Sequence, residues 1–194
     1  MPKVFVEGAD HYIVRMFKEN GWEVAKKLEE ANLVCFQGGA DVSPELYGER
    51  NVGSYSDADT DWRSLVLYNN AKRLGIPMVG ICRGGQFLNV MAGGKMIQDH
   101  PGHAIRGTHE IVLDEAWSDK TISYQVTSTH HQVMVVNPHA SDLLGWATGK
   151  QHEVEIVHHW KENSLSFQPH PEYVEADHEC QKLFFTLLGD LLSM

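Results

Sequence analysis

The sequence predicts an α/β protein built on a central, mostly parallel mixed sheet with helices packed on it. Three observations carry this. The first half alternates short apolar runs with stretches of helical period, the arrangement that yields parallel strands joined by crossover helices. Residues 79–94 pass from an apolar strand through a glycine-rich corner into a helix, with Cys82 at the bend. Residues 109–157 instead alternate apolar and polar positions between turns, which adds an antiparallel part to the sheet.

Residues 3–7 alternate around Val4 and Val6 and stop at Gly8, which reads as a first strand. A helical pattern over residues 10–20 follows, with Gly21 as its stop. Residues 33–36 are continuously apolar, as a strand buried on both faces is, and break off at Gln37-Gly38-Gly39-Ala40-Asp41. Open α/β sheets bind ligands beyond the carboxyl ends of their strands, although a glycine pair taken alone is equally an ordinary turn. Ser43-Pro44-Glu45 has the form of a helix start, with Ser43 as N-cap and Pro44 in the first position, and on that reading Asp41 and Tyr47 are structural. Residues 49–60 are polar and aperiodic, a surface loop beside the site. Asp61 is expected to cap a helix that runs to Leu74 and ends at Gly75-Ile76-Pro77. After the bend, residues 87–92 continue as helix, with Leu88, Met91 and Ala92 toward the sheet and Gly93-Gly94 as its end. Residues 109–113, 121–126, 134–136 and 154–158 read as strands.

The 194 residues, 42% of them hydrophobic, suffice for one substantial core, and no linker-like stretch divides them, so one domain over 1–194 is expected. A net charge of -10 without a basic cluster argues against nucleic acid or an anionic membrane as partner and leaves a small polar ligand. The three cysteines, Cys35, Cys82 and Cys180, form no Cys-x-x-Cys pair and no even framework, which fits a reducing compartment. The N-terminus becomes charged too early for a signal peptide, and no run approaches the ~18 apolar residues of a membrane span. A cytoplasmic protein is expected. Histidine is abundant at twelve, yet no His-Glu-x-x-His occurs and the cysteines lack ligand spacing, so no metal is expected and most of these side chains should be solvated or pocket-lining.

The chemistry centres on Cys82. A nucleophile on a sharp strand-to-helix turn needs small neighbours, which Gly80, Gly84 and Gly85 supply, and the start of a helix favours a thiolate. Far downstream, Gln168-Pro169-His170-Pro171-Glu172 offers the partners. Each proline pushes the residue before it out of helical conformation, so Gln168 and His170 should be extended. Residues two apart in an extended segment face one way, which would let Glu172 hold the His170 imidazole.

At these residues the chain resembles the class I glutamine amidotransferases, whose elbow reads Gly-x-Cys-x-Gly-x-Gln, and within them the gamma-glutamyl hydrolase and gamma-glutamyl-GABA hydrolase branch, peptidase C26. The matching segments are Gly80-Ile81-Cys82-Arg83-Gly84-Gly85-Gln86 with Asn89-Val90 and Gly93-Gly94, Gly38-Gly39-Ala40-Asp41 followed by Pro44 and Tyr47, Gln98-Asp99, Thr127-Ser128-Thr129-His130-His131-Gln132, and Gln168-Pro169-His170-Pro171-Glu172. The resemblance implies a three-layer flavodoxin-like sandwich and a Cys82–His170–Glu172 triad. It also implies an oxyanion hole from the backbone N–H groups of Gly39 and Arg83, and glutamyl binding by Gly38, Gln86 and His131, with no cofactor. The His-His-Gln segment borders the substrate pocket in that branch, and loop structure is the alternative reading for His130 and Gln132. Two departures stand out: Arg63-Ser64 where the family often has Arg-Asp, and Pro169 in place of a phenylalanine, for which a local packing difference is expected. The activities implied are a glutaminase that passes ammonia to a separate synthetase subunit, or a free-standing hydrolase of gamma-glutamyl amides. A catalytically silent binding relative is the remaining reading.

Overall fold

In chain order the computed structural model contains β1 (Lys3–Val6), α1 (His11–Glu19), β2 (Glu23–Val24), β3 (Leu33–Phe36), α2 (Ala58–Leu74), β4 (Met78–Ile81), α3 (Arg83–Met91), β5 (Lys95–Ile97), β6 (Gly107–Leu113), β7 (Ile122–Ser128), β8 (Val133–Val135), β9 (Asp142–Ala147), β10 (Val154–His159), β11 (Ser164–Phe167) and α4 (Glu179–Ser193). Residues 1–100, 107–113, 122–148 and 153–193 are described. Thr121, the first residue of one expected strand, and His103, one of the twelve histidines, lie outside them.

All the strands join one mixed sheet, whose main path is β2-β1-β3-β4-β11-β10-β9-β6-β7, with β8 pairing β10 and β5. The pairings from β2 to β11 are parallel, and those beyond are antiparallel. Side chains alternate between the two faces, and the alternation sorts the core. Val4, Val6, Leu33, Cys35, Val79, Ile81, Leu165 and Phe167 pack with Ile13, Met16 and Phe17 of α1 and with Leu183, Phe184 and Leu188 of α4. Val34, Phe36, Met78 and Val157 pack with Tyr68 and Ala71 of α2 and with Phe87 and Leu88 of α3. Strands β3, β4 and β11 are buried at every position, as expected where helices cover both faces. This is the expected three-layer sandwich, and β3, β4 and β11 lie side by side at its centre.

Several local expectations shift. Helix α2 starts before Asp61, where Asp57 caps it by accepting from the Asp59 amide. Asp61 is one turn inside and buried, drawn away from the helix end by Arg83. Ser43 makes no side-chain cap, and Pro44–Tyr47 is a single 3₁₀ turn; the Ser43 amide donates instead to Asp61 at 3.1 Å. Asp10 does cap α1, accepting from the Tyr12 and Ile13 amides. Strands β9 and β11, the two short strands β2 and β5, and helix α4 are additional to the expected elements. β9 opens on Asp142 and carries Gly145, which weakens its strand pattern, and it is held in place by β6 and β10.

Candidate active site

The bend after β4 is set by clearance. A Cβ on Gly80 would lie 2.2 Å from the Gly84 carbonyl group, and one on Gly84 would lie 2.3 Å from the Phe36 carbonyl oxygen. Both contacts are with backbone, so strand β4, the start of α3 and the end of β3 can approach this closely only as glycine allows. Cys82 takes φ 51° and ψ −112°. Such positive φ is unusual for a residue with a side chain and marks a functional constraint. The conformation is fixed at both ends: the Cys82 amide donates to Phe167 O at 2.9 Å, and its carbonyl accepts from the Gln86 amide at 3.0 Å. The result is a half-buried cysteine immediately before a helix. Cys35 and Cys180 are buried, and burial pushes both thiols up, that of Cys180 to about 12.

β11 runs parallel to β4 and delivers the second group. His170 Nδ1 lies 2.6 Å from Glu172 Oε1. The route differs from the expected extended segment, because Pro171–Tyr173 forms a 3₁₀ turn. Proline's fixed φ suits the first position of such a turn, and the turn folds Glu172 back onto the ring. Thr127 fixes the backbone, its hydroxyl accepting from the His170 amide at 2.6 Å, and Tyr173 stacks on the imidazole with centroids 4.5 Å apart. Burial disfavours the charged ring, but hydrogen bonds to the Cys82 sulfur and the Glu172 carboxylate outweigh it and push the pKa of His170 up to about 10. At neutral pH the imidazole is therefore held protonated beside the sulfur.

The space in front of Cys82 is a cavity of about 240 Å³, lined by residues that include Gly39, Asp41, Tyr55, Arg83, Gln86, His130 and His131. A larger hollow of about 680 Å³ next to Tyr173 is open and rimmed by Glu175, Asp177 and Glu179; no cysteine lines it, and the smaller cavity, which Cys82 lines, is the candidate site. Gln86 is buried in the first turn of α3, donating to Gln168 Oε1 at 3.1 Å. His131 stands at the mouth, 3.2 Å from Asp41. Gly38 sits behind the ring: a Cβ there would lie 3.0 Å from His170 Cε1. The Arg83 side chain turns away from the cavity. Its guanidinium is buried against Asp61 at 2.5 Å and Ser64 Oγ at 2.6 Å, and Ser64 donates to Glu7 at 2.6 Å. Ser64 thus has a role in place, with Asp61 supplying the carboxylate one turn earlier.

Asp41, read above as structural, lines the cavity as well as accepting from the Tyr55 amide at 2.7 Å. Tyr47 is buried, as a structural residue should be. Gln132 is held in loop structure, donating to Ser54 Oγ at 2.7 Å. The histidines depart most from expectation. His159 is wholly buried, between Ser141 Oγ at 2.6 Å and Ser166 Oγ at 2.8 Å, and burial lowers its pKa to about 3. Ser166 donates on to Gly85 O at 2.6 Å, so this neutral ring braces the helix behind Cys82. Among the described residues no cluster of His, Cys, Asp or Glu has the form of a metal site, and no helix is long and apolar enough to cross a membrane.

Comparisons with known proteins identify the family. The peptidase C26 family profile matches residues 5–172. YvdE of Lactococcus lactis, described as glutamine amidotransferase-like, is 29% identical over 191 residues, covering 90% of this chain and 80% of its own. The gamma-glutamyl-gamma-aminobutyrate hydrolase PuuD of Escherichia coli is 26% identical over 168 residues, covering 75% of this chain and 65% of its own. Among solved structures, PurLQS from Thermotoga maritima superposes with a TM-score of 0.67 at 19% identity, over 98% of this chain and 99% of that one, a likeness of fold. With the profile spanning most of its length and the elbow cysteine facing a histidine–glutamate pair, the chain belongs to the peptidase C26 family.

Proposed function

We propose that this protein hydrolyses the side-chain amide of glutamine, or of a small gamma-glutamyl amide, through a covalent thioester on Cys82. The observation that carries the reading is the contact of the buried His170–Glu172 pair with Cys82, which opens on one small cavity. In the proposed sequence the Cys82 thiolate, with the His170 imidazolium as counter-ion, attacks the γ-carbonyl carbon. The tetrahedral oxyanion is taken by the backbone N–H groups of Gly39 and Arg83. Arg83 is the first residue of α3, where helical N–H groups lack an internal acceptor, and one such donor is typically worth ~3 kcal/mol of barrier. His170 gives its proton to the departing nitrogen, then activates water against the thioester, while Glu172 fixes the ring's orientation. Every step uses the chain's own side chains and water.

Two activities fit this chemistry. As a glutaminase, the protein would hand ammonia to a separate synthetase; the structural neighbours that support this reading are PurLQS and a protein from Thermoplasma acidophilum described as part of a GMP synthase. As a free-standing hydrolase, it would act on gamma-glutamyl amines, a reading supported by the family and by its likeness to PuuD. Comparing kcat/KM for glutamine with that for gamma-glutamyl amides of small amines decides between the two, and a large preference for the latter removes the glutaminase reading. If a glutamine-mimicking electrophile leaves no adduct on Cys82, and no glutamyl amide is turned over, the protein is a silent binding relative.

A further inference from the structure

His130 lines the same cavity as Cys82, with its side chain 2% exposed. Its Nδ1 is 2.9 Å from the Gln132 carbonyl oxygen. Its Nε2 is 3.3 Å from Oε1 of Glu155, a side chain with no exposure at all. His109 reaches the same carboxylate oxygen from β6, with its Nε2 at 3.2 Å. A carbonyl oxygen can only accept, so Nδ1 carries a proton. A bare lone pair on Nε2 would face a carboxylate, which is repulsive, so Nε2 carries one too. The ring is then an imidazolium with both N–H groups directed at protein oxygens. The electrostatics agree from both sides. Burial works against the charged ring, but Glu155 and the Gln132 carbonyl outweigh it and raise the pKa of His130. Burial likewise works against the Glu155 carboxylate, and the two histidines outweigh it and lower the pKa of Glu155.

We propose that His130 is a fixed cation in the wall of the Cys82 cavity, kept charged by the buried carboxylate of Glu155, and that its charge favours substrates bearing an anionic group, such as the free α-carboxylate of a gamma-glutamyl compound. The role rests on the reading of Cys82 as the nucleophile. Nδ1 is held by the Gln132 carbonyl oxygen and Nε2 lies in ion-pair range of the Glu155 carboxylate, so His130 acts on the substrate through its field. Glu155 is a positioning residue: it lies on β10, away from the cavity lining, and reaches substrate only through His130.

The test compares alkylation of Cys82 by iodoacetate, which is anionic, with alkylation by iodoacetamide, which is neutral, each located by mass spectrometry. In Glu155→Gln and in His130→Gln the iodoacetate-to-iodoacetamide rate ratio should fall about fivefold or more, since a unit charge close by in a partly desolvated site has been removed. The double variant should fall no further than His130→Gln, because Glu155 acts on the cavity only through the charge on His130. In the same variants KM for the gamma-glutamyl substrate should rise more than kcat falls. An unchanged ratio in a folded variant, shown by circular dichroism, overturns the proposal. Should the variants not fold, ring ¹⁵N shifts of His130 in the wild-type protein at pH 7 take over: protons on both nitrogens support the proposal and a neutral tautomer overturns it. Alkylation needs no turnover, so a wild-type protein with a charge preference at Cys82 but no glutamyl-amide hydrolysis would sink the proposed function alone.

Discussion

Gly38 leaves room for the base. Its missing Cβ would stand 3.0 Å from His170 Cε1 and 3.8 Å from Cys82 Cβ, whereas a Cβ on Gly39 would meet nothing within 4 Å. Gly38→Ala should therefore displace the imidazole and lower kcat/KM by about 10²-fold, the usual penalty for misplacing a reacting group by an ångström. Steady-state kinetics on the variant checks this, and a loss of only a few-fold would contradict it. His170 itself makes a pH prediction. Its folded pKa, about 10, lies above the ordinary 6.5, so its contribution to stability is complete below pH 6.5 and disappears as pH rises toward 10. The melting temperature of wild type should exceed that of His170→Gln most at the acid end of that window, and the gap should close by its alkaline end. The His170–Glu172 contact and the bend at Cys82 were legible in the sequence because Pro169-His170-Pro171-Glu172 is contiguous and Cys82 is flanked by glycines. His130 was not legible as a charged residue, because its partners Glu155 and His109 lie far away along the chain and no spacing connects them.

At the level of elements, the junction of β3, β4 and α3 tolerates nothing larger than glycine at positions 80 and 84. Gly84→Ala would drive a methyl group into the backbone of Phe36, which cannot swing aside as a side-chain tip would. Loss of soluble folded protein is expected, read by circular dichroism of whatever can be purified. The link between α2 and α3 is electrostatic. Asp61 and Arg83 are 6% and 2% exposed at their side chains, and breaking a buried pair of this kind costs about 3–5 kcal/mol. Asp61→Ala should lower the urea midpoint accordingly, without a change in slope. This pair also explains why the start of α2 was misjudged from sequence. Asp57 and Asp61 are equally good caps, and only the position of Arg83, which is set by the fold, decides that Asp61 faces inward. Strands β3 and β4 were readable because helices on both faces make them continuously apolar. β9 breaks its pattern with Asp142 and Gly145, and its partners β6 and β10 fix it where its own sequence does not.

Across the whole molecule the two helical layers share one uninterrupted sheet, so neither core can lose its packing without exposing the back of the other. We expect urea unfolding followed by fluorescence and by circular dichroism to trace one coincident transition. Two separated transitions would show that the parallel and antiparallel parts of the sheet open independently. The placement of the cysteines adds a built-in clock. Cys35 on β3 and Cys180 on α4 belong to the same apolar cluster, while Cys82 opens on the cavity. A thiol reagent should thus count one group per chain in the native protein and three once the chain is denatured. The lag before the second and third react measures how often the inner face of the sheet breathes, with no label added and no residue changed.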